Sequence, residues 1–186
     1  RHRFMPTIEG MEAFDRQAVS AMCDQLRPYI DRVAAVRIGG NDILNLFGVR
    51  RSRTRTAYEG PLGAAIRTIG SVFIPNGIPV AAPVFEHFTA TDVLEREVEQ
   101  DIEHGLLTKT AIHPLQVATI QRLYQPNAND MSEARAILDE NARAVFGVHG
   151  SMCEPATHLR WAGLVLERAQ IYGVANQLTT ANAMVA

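Results

Sequence analysis

The feature that most constrains the fold of this chain is a pattern that occurs four times. In each case a short apolar run ends in glycine or polar residues, and a longer segment with helical periodicity follows. The apolar runs cover residues 4–9, 33–38, 78–83 and 107–112. This alternation is typical of βα units and predicts an α/β fold with a parallel sheet.

Four βα units make half of an eight-stranded barrel. We therefore predict that residues 1–125 are the carboxy-terminal half of a (β/α)8 barrel of the TIM type, carrying about the last four units. Half a barrel leaves two strand edges open, so the other half lies upstream on a longer natural chain or the strands pair with another copy. A homo-oligomer is expected in either case.

Beyond residue 125 the pattern changes. Helical stripes over residues 130–145 and 154–172 follow a Pro-Asn linker without an obvious strand, and residues 146–153 form a hairpin or a loop. We predict that residues 126–186 are a helical extension that packs on a neighbouring subunit.

The composition excludes several functional classes. A formal net charge of -2 provides no field that attracts nucleic acid or an anionic membrane, and no apolar stretch is long enough to span a bilayer. The two cysteines, Cys23 and Cys153, lie far apart, which indicates neither a zinc site nor a disulfide framework. A reducing cytoplasm is the expected location.

Two acidic residues end consecutive predicted strands. Glu9 follows the first apolar run, and Asp42 follows the second after Gly39 and Gly40. Because the carboxyl ends of parallel strands meet at one face, the two carboxylates are expected side by side, where they could share one Mg²⁺ ion. The alternative is that each carboxylate caps a helix or faces solvent, and that the glycines only form a tight turn.

Four segments resemble one superfamily, that of the citrate lyase beta subunit, malyl-CoA lyase and the HpcH/HpaI-type aldolases. Residues 6–10 (PTIEG) resemble its "IETA" element, 39–43 (GGNDI) its "GAEDL" element, 111–117 (AIHPLQV) its "AIHPxQI" element, and 150–155 (GSMCEP) its "GKMID" element. The order and spacing also agree. The pattern most resembles a divergent branch of carbon-carbon lyases of TIM-barrel fold, associated with tellurite-resistance-type gene neighbourhoods.

The resemblance implies a chemistry. Glu9 and Asp42 would hold Mg²⁺, and Gly40, Asn41 and His113 would line the substrate pocket. Glu154, brought in by a neighbouring subunit, would act as the catalytic acid or base at the acyl carbon. The substrate would be an oxo- or hydroxy-acid, or its coenzyme A thioester, cleaved or formed through an enolate.

Three departures from the family pattern keep other functions open. Asn41 replaces a glutamate, Glu154 replaces an aspartate, and the family's early strands have no counterpart in this chain. The alternatives are a pyruvate-type aldolase that does not use coenzyme A, and a catalytically incomplete barrel scaffold. Glu154 has the alternative of a plain acid at a helix N-terminus, and His113 that of a histidine capping a turn.

Two further features remain open at the level of sequence. Residues 50–55 contain four arginines. One interpretation is that they clamp a substrate carboxylate or phosphate; the others are a solvated loop, or ion pairs with Glu59 and its neighbours. Lys109 could form a Schiff base only if it were buried and tuned for that reaction.

Overall fold

The computed structural model describes residues 2–175, which form seven α-helices and six strands. The strands are β1 (Thr7–Ile8), β2 (Val36–Ile38), β3 (Val80–Ala82), β4 (Thr108–Lys109), β5 (Phe146–Val148) and β6 (Ser151–Cys153). The helices are α1 (Arg16–Leu26), α2 (Gly40–Leu46), α3 (Pro61–Phe73), α4 (Thr91–Glu103), α5 (Pro114–Leu123), α6 (Ala128–Ile137) and α7 (Pro155–Tyr172). Short 3-10 turns cover Met11–Phe14, Arg27–Arg32, Ala57–Glu59 and Ile74–Asn76.

The first four strands form one parallel sheet in the order β1-β2-β3-β4. Each predicted apolar run contains one of these strands, although the hydrogen-bonded parts are only two or three residues long. The predicted parallel α/β arrangement is therefore confirmed. Consecutive parallel strands connected by helices place all four carboxyl ends at the same edge of the sheet.

The core of this unit lies between the sheet and helices α1 and α3. All three residues of β3 are buried, and α3 buries eight residues because its apolar positions cover more than one face. The starts of α1 and α3 are marked by residues typical of helix N-termini. Asp15 caps α1 by accepting hydrogen bonds from the backbone N–H groups of Gln17 and Ala18, and Pro61 occupies the first turn of α3.

The chain divides into two compact units at the junction of Ile120 and Gln121. In the second unit, β5 and β6 form an antiparallel hairpin, and α6 and α7 enclose a small apolar core that includes Cys153. Both Cys23 and Cys153 are buried and free.

The predicted helix over residues 130–145 is wrong in its second half. Helix α6 ends at Ile137, with Leu138 as its C-cap, and the Asp139 side chain accepts a hydrogen bond from the Asn141 N–H at 2.7 Å. Such local side-chain bonds offer the backbone an alternative to the helix.

No helix within residues 2–175 combines the length and apolar character needed to cross a bilayer.

Candidate active site

Glu9 stands at the carboxyl end of β1, directly after Ile8. The Ile8 carbonyl accepts a hydrogen bond of 2.8 Å from the backbone N–H of Gly39, the residue that follows β2. This bond brings the exits of the two strands together. The Glu9 side chain is exposed.

Asp42 lies in the first turn of α2, which begins immediately after β2 with Gly39 as its N-cap. A Cβ atom placed on Gly39 would lie 2.5 Å from Glu9 Cβ, 3.2 Å from Glu9 Oε2 and 3.3 Å from Asp42 Oδ2. The Glu9 side chain therefore occupies the space that a side chain at residue 39 would fill, and one carboxylate oxygen each of Glu9 and Asp42 lies close to Gly39.

The donor set at this point suits Mg²⁺. Magnesium is commonly held by one or two carboxylates, with water and substrate oxygens filling its other positions. Neither carboxylate makes a hydrogen bond or ion pair within residues 2–175, so both remain available to a cation. Over the same residues no group of three His, Cys, Asp or Glu side chains is placed to bind a metal, which argues against an all-protein site of the zinc type.

Gly40 and Asn41 continue from this point into α2. A Cβ on Gly40 would lie 2.9 Å from Pro83 Cβ and 3.4 Å from Leu62 Cδ1, so this glycine allows α2 to pack closely on the exit of β3. Asn41 is exposed and borders a cavity of about 230 Å³ together with Arg50 and Glu86. Asn41 thus faces an open space on the β3 side of α2.

His113 precedes α5 at the exit of β4. Its Nδ1 accepts a hydrogen bond of 3.2 Å from the Leu115 N–H, and its ring stacks on Phe88 with centroids 4.4 Å apart and planes 14° apart. The histidine therefore caps the turn, as one of the two alternatives predicted. The stacked pair also presents an aromatic face, because Phe88 is 46% exposed.

Glu154 belongs to the second unit, where it is the N-cap residue of α7. Its backbone N–H donates to His158 Nδ1 at 3.1 Å, and Thr157 Oγ1 donates to its Oε2 at 3.2 Å. The carboxylate is half-buried and keeps one oxygen without a protein partner within residues 2–175. This environment allows a proton-transfer role as well as that of an acid at a helix N-terminus.

The structure also contains a buried cluster of four charges, formed by Arg51, Glu97, Asp101 and Lys109. Arg51 Nη2 pairs with Glu97 Oε2, and Lys109 Nζ lies 2.9 Å from both Glu97 Oε1 and Asp101 Oδ2. Two further donors complete the cluster: the Ala57 N–H to Glu97 at 2.7 Å and the Tyr58 hydroxyl to Asp101 at 2.7 Å.

The cluster affects its two acids in opposite ways. Burial acts to raise the pKa of Glu97, but the charges of Lys109 and Arg51 outweigh it and lower that pKa. Burial raises the pKa of Asp101, because its one cation, Lys109, is shared with Glu97. Lys109 is inaccessible to solvent and bonded to two carboxylates, so it acts as a structural cation and not as a Schiff-base lysine.

The arginines of residues 50–55 separate into different roles. Arg51 belongs to the buried cluster, and Arg50 lies 3.3 Å from Glu86. The predicted alternative of pairing with Glu59 is wrong, because Glu59 accepts the Thr56 N–H in a capping box at the Ala57–Glu59 turn. The arginines Arg53 and Arg55 are exposed, without an ion pair among the described residues.

Sequence reasoning missed Glu97 and Asp101. The signal that could have found them is their position on α4. They are four residues apart and lie on the buried face with Val93, Leu94 and Val98. Acidic residues on an apolar helix face require cationic partners.

Comparison with known proteins places the chain in a family. The family model described as C-C bond lyase of the TIM-barrel fold matches residues 1–174. Among curated proteins no match was found.

Three solved structures illustrate the similarity. CitE from Mycobacterium tuberculosis, in complex with magnesium, acetoacetate and coenzyme A, is 21% identical with a TM-score of 0.67 over 90% of this chain. A citrate lyase from Burkholderia xenovorans LB400 is 21% identical with a TM-score of 0.66 over 92%. RipC from Yersinia pestis is 26% identical with a TM-score of 0.56 over 68%.

This chain spans only part of those proteins, namely 61% of CitE, 54% of the Burkholderia protein and 53% of RipC. A partial barrel agrees with the four-stranded parallel sheet. The predicted fold class is confirmed, and so is the predicted resemblance to carbon-carbon lyases of TIM-barrel fold. The chain belongs to the family of C-C bond lyases of the TIM-barrel fold.

Proposed function

We propose that this chain carries the metal-binding part of a magnesium-dependent carbon-carbon lyase that acts on an oxo- or hydroxy-acid or on its coenzyme A thioester. The observation that carries the proposal is the placement of the Glu9 and Asp42 carboxylates close to each other beside Gly39, at the exits of β1 and β2. Family membership supports the reaction class.

The residues of the chain would divide the work. Glu9 and Asp42 would hold the cation. Magnesium, when bound, supplies Lewis-acid stabilisation of negative charge on the substrate's oxygens. Glu154 of a second subunit would exchange a proton with the acyl carbon, a role that requires a partly desolvated carboxylate.

The nature of the substrate remains a choice between two enzyme types. The CitE structure contains magnesium, acetoacetate and coenzyme A together, which supports a coenzyme A thioester over the substrate of a coenzyme A-independent pyruvate-type aldolase. The scaffold alternative is tested by the metal itself, because a barrel retained only for assembly has no reason to bind magnesium at Glu9 and Asp42.

The test is a calorimetric titration of the chain with Mg²⁺ at pH 7. We expect Glu9→Gln and Asp42→Asn each to weaken binding by about tenfold or more, because each removes one of two charged ligands. Asp31→Asn is the matched control, since Asp31 is exposed and its side chain makes no hydrogen bond or ion pair among residues 2–175. Equal affinities in all four proteins would end the proposal.

A second titration separates the two enzyme types. With Mg²⁺ present, acetyl coenzyme A is expected to bind the chain, whereas an aldolase that does not use coenzyme A would bind pyruvate and not the thioester. Replacing Glu154 by Gln should leave both Mg²⁺ and thioester affinity unchanged and lower turnover by about 10²-fold or more.

A further inference from the structure

Two neighbouring cavities lie on the β3 side of α2, and neither is accounted for by the carboxylate pair. The smaller, of about 230 Å³, borders Asn41 and Glu86. The larger, of about 310 Å³, borders Ser52, Arg55 and Thr56. Both are lined by Leu44, Val49, Arg50 and Arg51, so they form one groove, which we call the arginine groove.

The groove starts next to the proposed metal site. In the sheet order, β2 lies between β1 and β3. Asp42, at the start of the helix that follows β2, faces Glu9 at the β1 exit, while the adjacent Asn41 borders the groove with Glu86 from the β3 exit. Because Asn41 and Asp42 are adjacent in the first turn of α2, the groove and the carboxylate pair lie at the same end of this helix.

The walls of the groove are rich in hydrogen-bond donors. Arg50 has a side chain that is 83% exposed and a single carboxylate contact, to Glu86 at 3.3 Å, so most of its N–H donors remain available. Arg55 has no ion pair within residues 2–175. Forked guanidinium groups of this kind bind carboxylate and phosphate oxygens in pairs.

Arg51 adds a second, independent observation. It is buried, its Nη2 pairs with Glu97, and its Nε has no hydrogen-bond partner within the described residues. A buried donor left unsatisfied marks a site that a ligand or water completes. Of the acidic residues on the groove walls, Glu86 pairs with Arg50, whereas Glu59 accepts the Thr56 N–H and makes no ion pair with an arginine among the described residues.

We propose that the arginine groove binds a second anionic group of the substrate, a carboxylate or a phosphate, with Arg50 and Arg55 as its ligands. This inference rests on the proposed function, which places the first anionic group of the substrate at the magnesium site. It narrows the substrate class to acids with two anionic groups, one at the metal and one in the groove.

The test uses two dianions, inorganic phosphate and malonate, with acetate as the monoanion reference and no magnesium present. Binding is followed by NMR on the Nε–Hε signals of the arginines. We expect phosphate or malonate to shift the Arg50 and Arg55 signals saturably, more tightly than acetate. Whichever dianion binds more tightly identifies the anion as phosphate or carboxylate.

Arg50→Met and Arg55→Met are each expected to weaken the binding of whichever dianion binds more tightly, by about tenfold. Arg53→Met is the matched control, because Arg53 belongs to the same loop, is exposed and lines neither cavity. All three substitutions replace exposed side chains, so the fold should be preserved. An equal loss in Arg53→Met, or no saturable shift with either dianion, overturns the inference.

Glu9→Gln separates this inference from the proposed function. Anion binding measured without magnesium is expected to be the same in Glu9→Gln as in the unaltered chain, and an equal loss there would show that the groove is not a separate site. Conversely, a failure of the groove leaves the Mg²⁺ titrations of Glu9 and Asp42 unaffected.

Discussion

Gly39 controls the space between the two proposed metal ligands. Because a Cβ at this position would lie 2.5 Å from Glu9 Cβ, Gly39→Ala must displace the Glu9 side chain or the exit of β2. We expect the substitution to weaken Mg²⁺ binding by about tenfold or more, comparable to the loss of an orienting group around a metal. Calorimetry at fixed pH measures the effect.

Gly163→Ala is the control for this prediction. Gly163 lies in α7, and a Cβ there would meet no atom within 4 Å, so the substitution should leave Mg²⁺ affinity unchanged. If Gly39→Ala binds Mg²⁺ as tightly as Gly163→Ala does, the space beside Gly39 is not the metal site.

Individual residues were predictable where strand position alone determined them. Glu9 and Asp42 follow apolar runs, and parallel topology is sufficient to bring such residues to one edge. The roles of Arg51 and Lys109 were not predictable in this way. Arg51 pairs with Glu97, 46 residues further along the chain, and Lys109 pairs with Asp101, 8 residues before it. Such pairings are visible only in the folded chain.

At the level of elements, the buried cluster connects the segment after α2 with α4 and β4. Glu97→Gln leaves Arg51 and Lys109 with one carboxylate fewer in a site closed to solvent. Because breaking a buried pair leaves uncompensated charge, we expect the free energy of unfolding to fall by about 3–5 kcal/mol. Glu99→Gln, an exposed change on the same helix, should have little effect in the same denaturant titration.

The raised pKa of Asp101 predicts a pH dependence of stability. A carboxyl whose pKa is higher in the folded state contributes stability at low pH, and this contribution is lost as the pH rises from about 4, the ordinary aspartate value, through the raised pKa. Over that window the chain should lose stability relative to Asp101→Asn, which cannot ionise. Urea unfolding at a series of pH values measures both proteins.

Glu97 is expected to make stability depend on pH in the opposite direction to Asp101. Its lowered pKa means that its contribution is present above about pH 4.3, the ordinary glutamate value, and is lost as the pH falls through the folded pKa. Glu97→Gln should therefore reduce stability at neutral pH and have a smaller effect in strong acid. A constant difference across this range would contradict the lowered pKa.

Helices were easier to predict than strands at this scale. Helix α7 matches the predicted span closely because its boundary is marked by Pro155 and Gly173. The end of α6 was missed because Asp139 and Asn141 form a local turn within a stripe that keeps helical periodicity. Strand lengths were overestimated because the apolar runs extend beyond the hydrogen-bonded residues. Residues 4–6, 33–35 and 78–79 precede β1, β2 and β3.

For the whole molecule, the sheet has two edges within residues 2–175, at β1 and at β4. Exposed strand edges tend to pair with other chains, and Phe4 and Met5 beside β1 are 36% and 44% exposed. We expect this 20.5 kDa chain to self-associate, as measured by light scattering after size-exclusion chromatography. Met5→Lys should raise the proportion of monomer.

Met11→Lys controls for added charge alone, because Met11 is 63% exposed in the turn before α1. A monomer in the unaltered chain, or an equal effect of the two lysines, would show that the β1 edge does not drive association. The predicted partial barrel followed from counting βα units, whereas the number of copies depends on surfaces that the sequence pattern does not reveal.

The buried charge cluster has a consequence for exchanging parts between relatives. Segment 51–58 is attached to Glu97 and Asp101 through Arg51, Ala57 and Tyr58, and those acids depend in turn on Lys109 of β4. A chimera that receives only this segment would therefore contain a buried charge without its partner. Changes of ligand preference at the arginine groove should be transferable only as a block that includes α4 and β4, which restricts how new specificities can arise by recombination.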